Sequence, residues 1–397
     1  MTAEAADLEV AKINRFRDPR FRAIGYQVIV ILLIAAFVWY VGHNTAINLN
    51  KRGISSGFGF LSQPAGFGIG IVLLMDYSSQ TSTHFDVLLI GIINTLAVSL
   101  AGIFLATLTG FLFGIMRLSS NWMISKIATV YIEVVRNIPL LVQLMFWYFA
   151  VLVVLPVVGD SYRLGESFFV NNRGVNFPAM IPTDGFWVLP VSLLVAIVLS
   201  IVIARWSRRR QNLTGQLFPV LWTSIGLIII LPIFAAFVMG HPFDMSYPEF
   251  GRFSIRGGWS FEPEFLALLF GLSIYTGAFI AEIVRSGINS VSHGQSEAAH
   301  SLGLRPGMTT RLVVLPQALR VIVPPLTSQY LNLIKNSSLA TAIGYADVTA
   351  LFAGTSLNQP GQAIEVIFIT MLFYLSISLL ISMFMNWYNT HIALVER

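Results

Sequence analysis

Long apolar stretches recur along the whole chain and constrain its fold more than any other feature. A helix needs roughly 20 predominantly apolar residues to cross the hydrocarbon core of a bilayer. Stretches of this kind lie near residues 24–42, 87–116, 138–158, 186–204, 217–240, 265–284, 313–335 and 363–386. Charged residues make up only 11% of the 397 residues, whereas soluble domains carry about 25%. We therefore predict an all-α integral membrane protein with about eight transmembrane helices.

The seventh stretch is interrupted by four residues that disfavour a lipid-facing helix: Pro316, Arg320, Pro324 and Pro325. Prolines are tolerated in a membrane helix when neighbouring protein satisfies the backbone groups that they free. We therefore expect this span to be buried inside the helix bundle. The following segment, 340–356, is apolar but short, and we predict a partly inserted or external helix there.

Lysine and arginine are concentrated at one set of span ends, which sets the orientation of the chain. That set includes the N-terminal tail, the run 205–210 and the segment between the sixth and seventh stretches. Basic residues mark the cytoplasmic side, so we predict a multi-pass membrane protein with both termini in the cytoplasm. Membrane lipid surrounds the spans, and the run 205–210 is interpreted as an anchor at anionic headgroups. No basic strip with interleaved aromatic residues indicates nucleic acid.

A motif with fixed spacing lies between the sixth and seventh stretches. Residues 294–303 read Gly-Gln-Ser-Glu-Ala-Ala-His-Ser-Leu-Gly, and after nine intervening residues 313–316 read Val-Val-Leu-Pro. The spaced anchors are Glu297, Ala298, Ala299, Gly303, Leu315 and Pro316. This pattern resembles the EAA loop of ABC importer permeases, with Val313 in place of the family's isoleucine. The resemblance implies that the loop docks on a separate ATPase subunit.

The residue types of this motif suit a docking loop. Small side chains at Ala298 and Ala299 allow a short helix to approach a partner closely, and Gly303 permits a sharp turn after it. Glu297 offers one negative charge to a basic partner or to the end of a helix. We therefore predict a rigid knob that fits a groove on another protein.

Three further segments, 131–144, 275–287 and 333–339, resemble the polar amino acid subfamily of these permeases. The resemblance implies a five-helix type I importer core, and the additional spans are similar to the longer permease subunits of general L-amino acid importers. The implied organisation is a basic cytoplasmic tail (1–23), an extra first transmembrane helix with an extracytoplasmic loop (24–86), the first part of the core (87–158), an insertion with two transmembrane helices (159–262), the second part of the core (263–390) with its coupling loop (292–316), and a cytoplasmic tail (391–397).

The same resemblance implies the partners. Two copies of an ATP-binding cassette subunit would use ATP and Mg, and a second, different permease subunit would complete the path. A periplasmic amino-acid-binding protein would deliver an L-amino acid, with a broad range of polar amino acids as substrates. The chain has no Gly-x-x-x-x-Gly-Lys-Ser/Thr loop, so we expect no catalytic residue and no cofactor in it. An ion-coupled secondary amino acid transporter is the alternative, although the repeated halves of that class are not evident.

Amino acids are zwitterions, so their path needs a few polar groups in an otherwise apolar wall. Such groups are costly inside a membrane and usually face the bundle interior or a wet cavity. Gln329, Asn332 and Asn336 recur on one helical face, and Lys335 adds a cation that would attract a carboxylate. This face lines the path or binds neighbouring helices. Further candidates, each with helix packing as the alternative, are Thr95, Gln143, Tyr275 and Thr276.

Two Glu-x-x-Arg pairs have helical spacing: Glu133 with Arg136, and Glu282 with Arg285. Each is either a structural ion pair or part of an inner gate coupled to the motif loop. His293 and His300 lie in the loop, and we interpret them as contact or solvated residues. The chain has no cysteine, so disulfides and thiolate metal sites are excluded, and we expect no metal site.

Overall fold

Helices dominate the computed structural model, which describes residues 19–51, 56–251, 254–357 and 361–392. Most of the two predicted tails, residues 1–18 and 393–397, lies outside the described residues. The α-helices are α1 (Pro19–Lys51), α2 (His84–Arg117), α3 (Trp122–Asn137), α4 (Leu140–Met145), α5 (Val188–Thr214), α6 (Val220–Val238), α7 (Pro263–Asn289), α8 (His293–Ser301), α9 (Pro306–Thr309), α10 (Leu315–Asn336) and α11 (Ala363–Ile392). Short π-helices cover Phe146–Leu152, Thr310–Val314 and Thr349–Ser356, and 3-10 helices cover Gly59–Ser62, Val158–Asp160 and Ser337–Ile343.

Six described helices are long and apolar enough to cross a membrane: α1, α2, α5, α6, α7 and α11. The bent pair of α3 with α4 and its π-helical continuation adds a seventh span when it is counted as one. Helix α10 has 22 residues but is too polar to qualify by composition, in keeping with its prolines and Arg320. It packs against α7 and α11. The predicted helical membrane bundle of about eight helices is thus confirmed.

The predicted third span, 138–158, is wrong in its bounds. The chain enters this span as α3, bends by 106° and continues through α4 and its π-helix. A residue before proline is driven out of the helical region, and Ile138, before Pro139, is extended at φ −101° and ψ 128°. The side-chain amide of Gln143 donates through Nε2 to the carbonyl oxygens of Val135 and Ile138, each at 2.9 Å. It thereby satisfies two carbonyl groups at the end of α3.

Helices α2 and α7 form the centre of the bundle. A Cβ on Gly114 of α2 would lie 2.7 Å from the carbonyl oxygen of Ala281 and 2.8 Å from Cβ of Val284. A Cβ on Gly110 would likewise collide with the side chain of Ile280. Because no side chain fits at either glycine, the two helices approach at backbone distance, as small residues allow in membranes.

The segment 340–356, predicted to be a partly inserted or external helix, folds against α2 and α11. Tyr345 is fully buried, and its hydroxyl donates to the carbonyl oxygen of Asn94 at 2.9 Å. The amide of Val348 donates to Thr95 Oγ1 at 3.1 Å. An external placement is therefore wrong, because this segment belongs to the core and its polar groups are satisfied there.

Short strands precede and follow the α5–α6 hairpin in the chain. They are β1 (Tyr162–Arg163), β2 (Phe169–Asn171), β3 (Gly174–Phe177), β4 (Ala179–Pro182), β5 (Phe243–Ser246), β6 (Glu249–Phe250), β7 (Ile255–Arg256) and β8 (Trp259–Phe261). One antiparallel sheet has the order β1-β2-β3-β8, while β4 pairs with β5 and β6 with β7. We call these sheets the strand layer. The insertion 159–262 therefore contains the two predicted helices and also strands that the all-helical prediction missed.

The additional spans lie at the periphery. In the apolar parts of α5 and α6 only 11% and 6% of residues are buried, and in α1 none are. The helices α5 and α6 pack on each other and make at most marginal contact with the other described elements. By contrast, the loop that follows α1 covers the core with buried Phe60, Ala65 and Ile71. The apolar surfaces of α1 and the hairpin are consistent with lipid contact.

Candidate coupling loop and substrate path

The motif loop folds as a short helix with a glycine turn. Helix α8 carries Glu297, Ala298 and Ala299, and Gly303 follows it with a φ of +79°, a conformation that favours glycine. The amide of Gly303 donates to the carbonyl oxygen of His300 at 2.8 Å, and that of Leu304 donates to Ala299 at 3.1 Å. These bonds satisfy carbonyl groups at the end of α8, as in a glycine C-cap.

The two motif alanines face opposite ways. Ala299 is buried, whereas Ala298 and Glu297 are exposed and Leu302 is 82% exposed. Glu297 Oε1 lies 3.0 Å from His293 Nδ1, one turn earlier on α8. The loop therefore presents an apolar tip with a nearby carboxylate to the surroundings, a surface suited to a groove on a partner.

The end of the motif starts α10. Leu315 and Pro316 lie in its first turn, where proline is favoured because it has no amide hydrogen to leave unpaired. Gln317 Nε2 lies 3.5 Å from Gln295 Oε1 on α8. The loop is thus joined to α10 both through the chain and by this side-chain contact.

An ion cluster lies where the ends of α2, α3 and α7 meet. Arg285 Nη2 lies 2.5 Å from Glu282 Oε1, as the spacing predicts. Glu133 accepts from Arg117 Nη2 at 3.1 Å, and Arg117 Nη1 donates to Glu282 Oε2 at 2.7 Å. The predicted pairing of Glu133 with Arg136 is not formed among the described residues, because the bundle places Arg117 beside Glu133 instead.

A cavity of about 290 Å³ lies next to the ion cluster, between α3, α7 and α10. Its lining includes Arg136, Phe279, Glu282, Pro325 and Gln329. The guanidinium carbon of Arg136 is 5.1 Å from the centre of the Phe279 ring, a cation–π distance. The cavity thus combines a cation, an anion and an amide, which together suit the ammonium and carboxylate groups of an amino acid.

The four candidates on α10 separate in the structure. Gln329 is half-buried and lines the cavity. Asn336 is also half-buried, whereas Asn332 and Lys335 are exposed. Of the predicted polar face, only Gln329 is brought together with the charged residues of the cavity.

The remaining path candidates have mostly structural contacts. Thr95 and Gln143 hold the buried segment after α10 and the bend after α3, respectively. Thr276 is buried in α7, and the half-buried ring of Tyr275 lies 5.0 Å from that of Phe279. Phe279 was not singled out by the sequence, although it lies within a segment that resembles the family.

No group of three metal-ligating side chains forms among the residues that the structure describes.

At the end of α7 opposite the ion cluster, burial and the charge of Glu264 raise the pKa of Glu262 to about 7. Glu262 precedes α7 without capping it. Glu262 also lines a cavity of about 250 Å³, to which the loop that follows α1 contributes Gly70–Leu73.

The chain has extensive similarity to transport proteins. The family described as binding-protein-dependent transport system inner membrane component matches residues 196–393. The chain is 54% identical to the general L-amino acid transport system permease protein AapQ of Rhizobium johnstonii, over 96% of this chain and 94% of that protein. It is 49% identical to the putative amino-acid ABC transporter permease protein YhdX of Escherichia coli, over 96% and 97%.

A third relative is the glutamate/glutamine/aspartate/asparagine transport system permease protein BztB of Rhodobacter capsulatus. It is 44% identical, over 96% of both chains. Similarity of this extent, with the helical bundle and the motif loop, shows that the chain belongs to the family of binding-protein-dependent inner-membrane components, the permease subunits of ABC transporters. Within that family it lies among the permeases of polar and general amino acid transport.

Proposed function

We propose that this chain is the transmembrane permease subunit of an ATP-driven importer that moves a broad range of polar L-amino acids across the bacterial inner membrane. The exposed loop around α8 carries the proposal, because its spacing matches the EAA pattern and its tip presents Leu302 outward. The substrates named for AapQ and BztB support the substrate class.

Energy reaches the chain through this loop. Two copies of a separate ATPase subunit, which bind ATP and Mg, dock on Glu297–Gly303 and move α8 when they close. This movement passes to α10 by two routes: the contact of Gln295 with Gln317, and the π-helix Thr310–Val314 that leads into α10. Such π-helical turns often occur at functional sites. Gln329 lies twelve residues beyond Gln317 on the same helix, about 18 Å along its axis. Displacement of α10 therefore reshapes the cavity.

The substrate binds in the cavity by its charges. Glu282 accepts hydrogen bonds from the ammonium group of the amino acid, and Arg136 donates to its carboxylate. Gln329 donates or accepts a further hydrogen bond. Glu282 is already paired with Arg117 and Arg285, so substrate competes with these ion pairs. Such competition makes binding weak enough for release, which transport requires.

The remaining partners occupy the other surfaces. A second, different permease subunit completes the path, and a periplasmic amino-acid-binding protein docks at the strand layer. Both termini lie in the cytoplasm. The basic residues at the ends of α2 and α5 and in the motif loop support this orientation.

The test is Gly303→Asp in the complete transporter, reconstituted in proteoliposomes with its binding protein and ATPase. Aspartate at a φ of +79° strains the turn and adds a charge beside the docking tip. We expect uptake of labelled glutamate and glutamine to fall more than about tenfold while the chain remains folded. Gly215→Asp is the matched control, because Gly215 also ends a helix, with a φ of +72° and nothing within 4 Å, but lies in the α5–α6 turn rather than in the motif loop.

Normal uptake by Gly303→Asp at normal abundance would overturn the coupling assignment. A second measurement is independent of transport. The tagged chain, extracted from its native membrane in a mild detergent, should bring with it an ATPase and a second permease. Recovery of the folded chain alone would favour a transporter that needs no ATPase.

A further inference from the structure

The cytoplasmic end of the α5–α6 hairpin carries an exposed basic face. Arg205, Arg208 and Arg209 are spaced i, i+3 and i+4, so their side chains lie together on the last turns of α5. All three are exposed, and none has an ion-pair partner among the described residues. Along the sequence, the first acidic residues on either side are Asp184 and Asp244, beyond the opposite ends of the two helices.

Aromatic contacts connect this basic face to the start of α6. The guanidinium carbon of Arg210 is 5.4 Å from the centre of the Trp206 ring, and Arg210 Nη2 donates to Gln216 Oε1 at 2.5 Å. The Trp206 ring in turn lies edge-on to Phe218 at 5.4 Å. Tryptophan at a span end is typical of the interface between lipid headgroups and hydrocarbon.

An apolar groove of about 450 Å³ begins one turn into α6. Its lining residues follow one helical face: Thr223, Gly226, Leu227, Ile230, Leu231 and Phe234. The Thr223 hydroxyl donates to the carbonyl oxygen of Pro219 at 3.0 Å and so needs no partner in the groove. At Gly226 nothing lies within 4 Å of where a Cβ would be, which leaves the groove open at its centre.

The dimensions of the groove fit one lipid chain. From Thr223 to Phe234 is eleven residues, about 16 Å along the axis, and one leaflet contributes about half of a hydrocarbon core of roughly 30 Å. We propose that the basic face and the groove together bind one anionic phospholipid, with its phosphate on Arg205, Arg208 and Arg209 and one acyl chain along α6. Because the hairpin makes only marginal contact with the rest of the chain, this lipid fixes its cytoplasmic end at the level of the headgroups.

Two features distinguish this site from diffuse attraction of anionic lipid to basic residues. The groove lies within a membrane span, where a soluble protein does not reach. The contacts of Trp206 with Phe218 and of Arg210 with Gln216 also bring the basic end of α5 to the end of α6 where the groove begins. Diffuse attraction depends on charge alone, whereas a built site also depends on the shape of the groove.

The experiment titrates phosphatidylglycerol into the purified, delipidated full chain and counts retained lipids by native mass spectrometry. The triple variant Arg205→Gln, Arg208→Gln, Arg209→Gln should weaken retention on the order of 100-fold, since each arginine near the surface contributes about fivefold. Gly226→Phe fills the groove without changing charge and should weaken retention at least about tenfold. Phosphatidylcholine should not be retained, and millimolar inorganic phosphate should not displace the lipid.

Two control variants match these changes at sites away from the hairpin. The triple variant Arg163→Gln, Arg173→Gln, Arg256→Gln removes the same charge from the strand layer, and Gly42→Phe adds the same side chain to α1, where nothing lies within 4 Å of Gly42. Both should retain lipid normally. If Gly226→Phe retains lipid normally while the hairpin arginine variant does not, the attraction is diffuse and the proposal fails. It also fails if phosphate displaces the lipid, or if the hairpin arginine variant keeps its lipid.

Discussion

Arg117 joins three helices, and the structure predicts that its two ion pairs differ in strength. The pair with Glu282 is short, at 2.7 Å, and its side chains are 19% and 25% exposed. The pair with Glu133 is longer, at 3.1 Å, and Glu133 is 51% exposed. Exposed pairs contribute about 0.5 kcal/mol, whereas breaking a buried pair costs about 3–5 kcal/mol. We therefore expect couplings of about 0.5 kcal/mol for Arg117–Glu133 and about 2 kcal/mol for Arg117–Glu282.

Double-mutant cycles measure these couplings directly. Arg117→Gln, Glu133→Gln, Glu282→Gln and the two double variants would be unfolded with denaturant in detergent micelles, and the free energies of unfolding compared. Because Arg285 still pairs with Glu282 in Arg117→Gln, that single variant should lose less stability than Glu282→Gln, which leaves two arginines without their shared partner. Equal couplings in the two cycles, or a larger one for Glu133, would refute the ranking by burial and distance.

Two further predictions concern the helix bundle and the start of α7. Gly114→Val should lower the free energy of unfolding by about 1–3 kcal/mol, because its Cβ meets the carbonyl of Ala281 at 2.7 Å; an unchanged melting temperature would contradict the close packing. Glu262→Gln should melt higher than the parent at pH 8 and like it at pH 4.5. The pKa of Glu262 is raised from 4.5 to about 7, so the folded state holds this proton more tightly than the unfolded state does. The free energy of unfolding of the parent therefore falls as pH rises between these two values. Melting curves that differ by the same amount at both pH values would contradict this.

The conformation of the motif loop was predictable because the information that determines it is local. Residues 297–303 span two helical turns, and the sharp turn after them depends only on the missing side chain of Gly303. The observed φ of +79° agrees with that prediction. The long apolar spans were predictable for a similar reason, since each satisfies its backbone hydrogen bonds within itself.

Contacts between distant segments were not predictable in the same way. The partners of Arg117 could not be assigned from the sequence, because Glu133 and Glu282 come from two other helices. Val175 of β3 pairs with Phe261 of β8, although the whole α5–α6 hairpin lies between them in the sequence. Strands of two to four residues are also too short to show a periodic pattern. The size of the bend before Pro139 also depends on packing, although the proline itself signals a break.

The strand pairing has a consequence for how the hairpin relates to the rest of the chain. Pro182 at the end of β4 is paired with Phe243 at the start of β5, so the segment 183–242 leaves and rejoins the strand layer at one point. Its removal would place β4 and β5 in register for a two-residue turn of the kind that ordinarily closes a hairpin. Because this segment holds two spans, the chain returns to the same side of the membrane that it left, and α7 would enter the bundle in the same orientation without them.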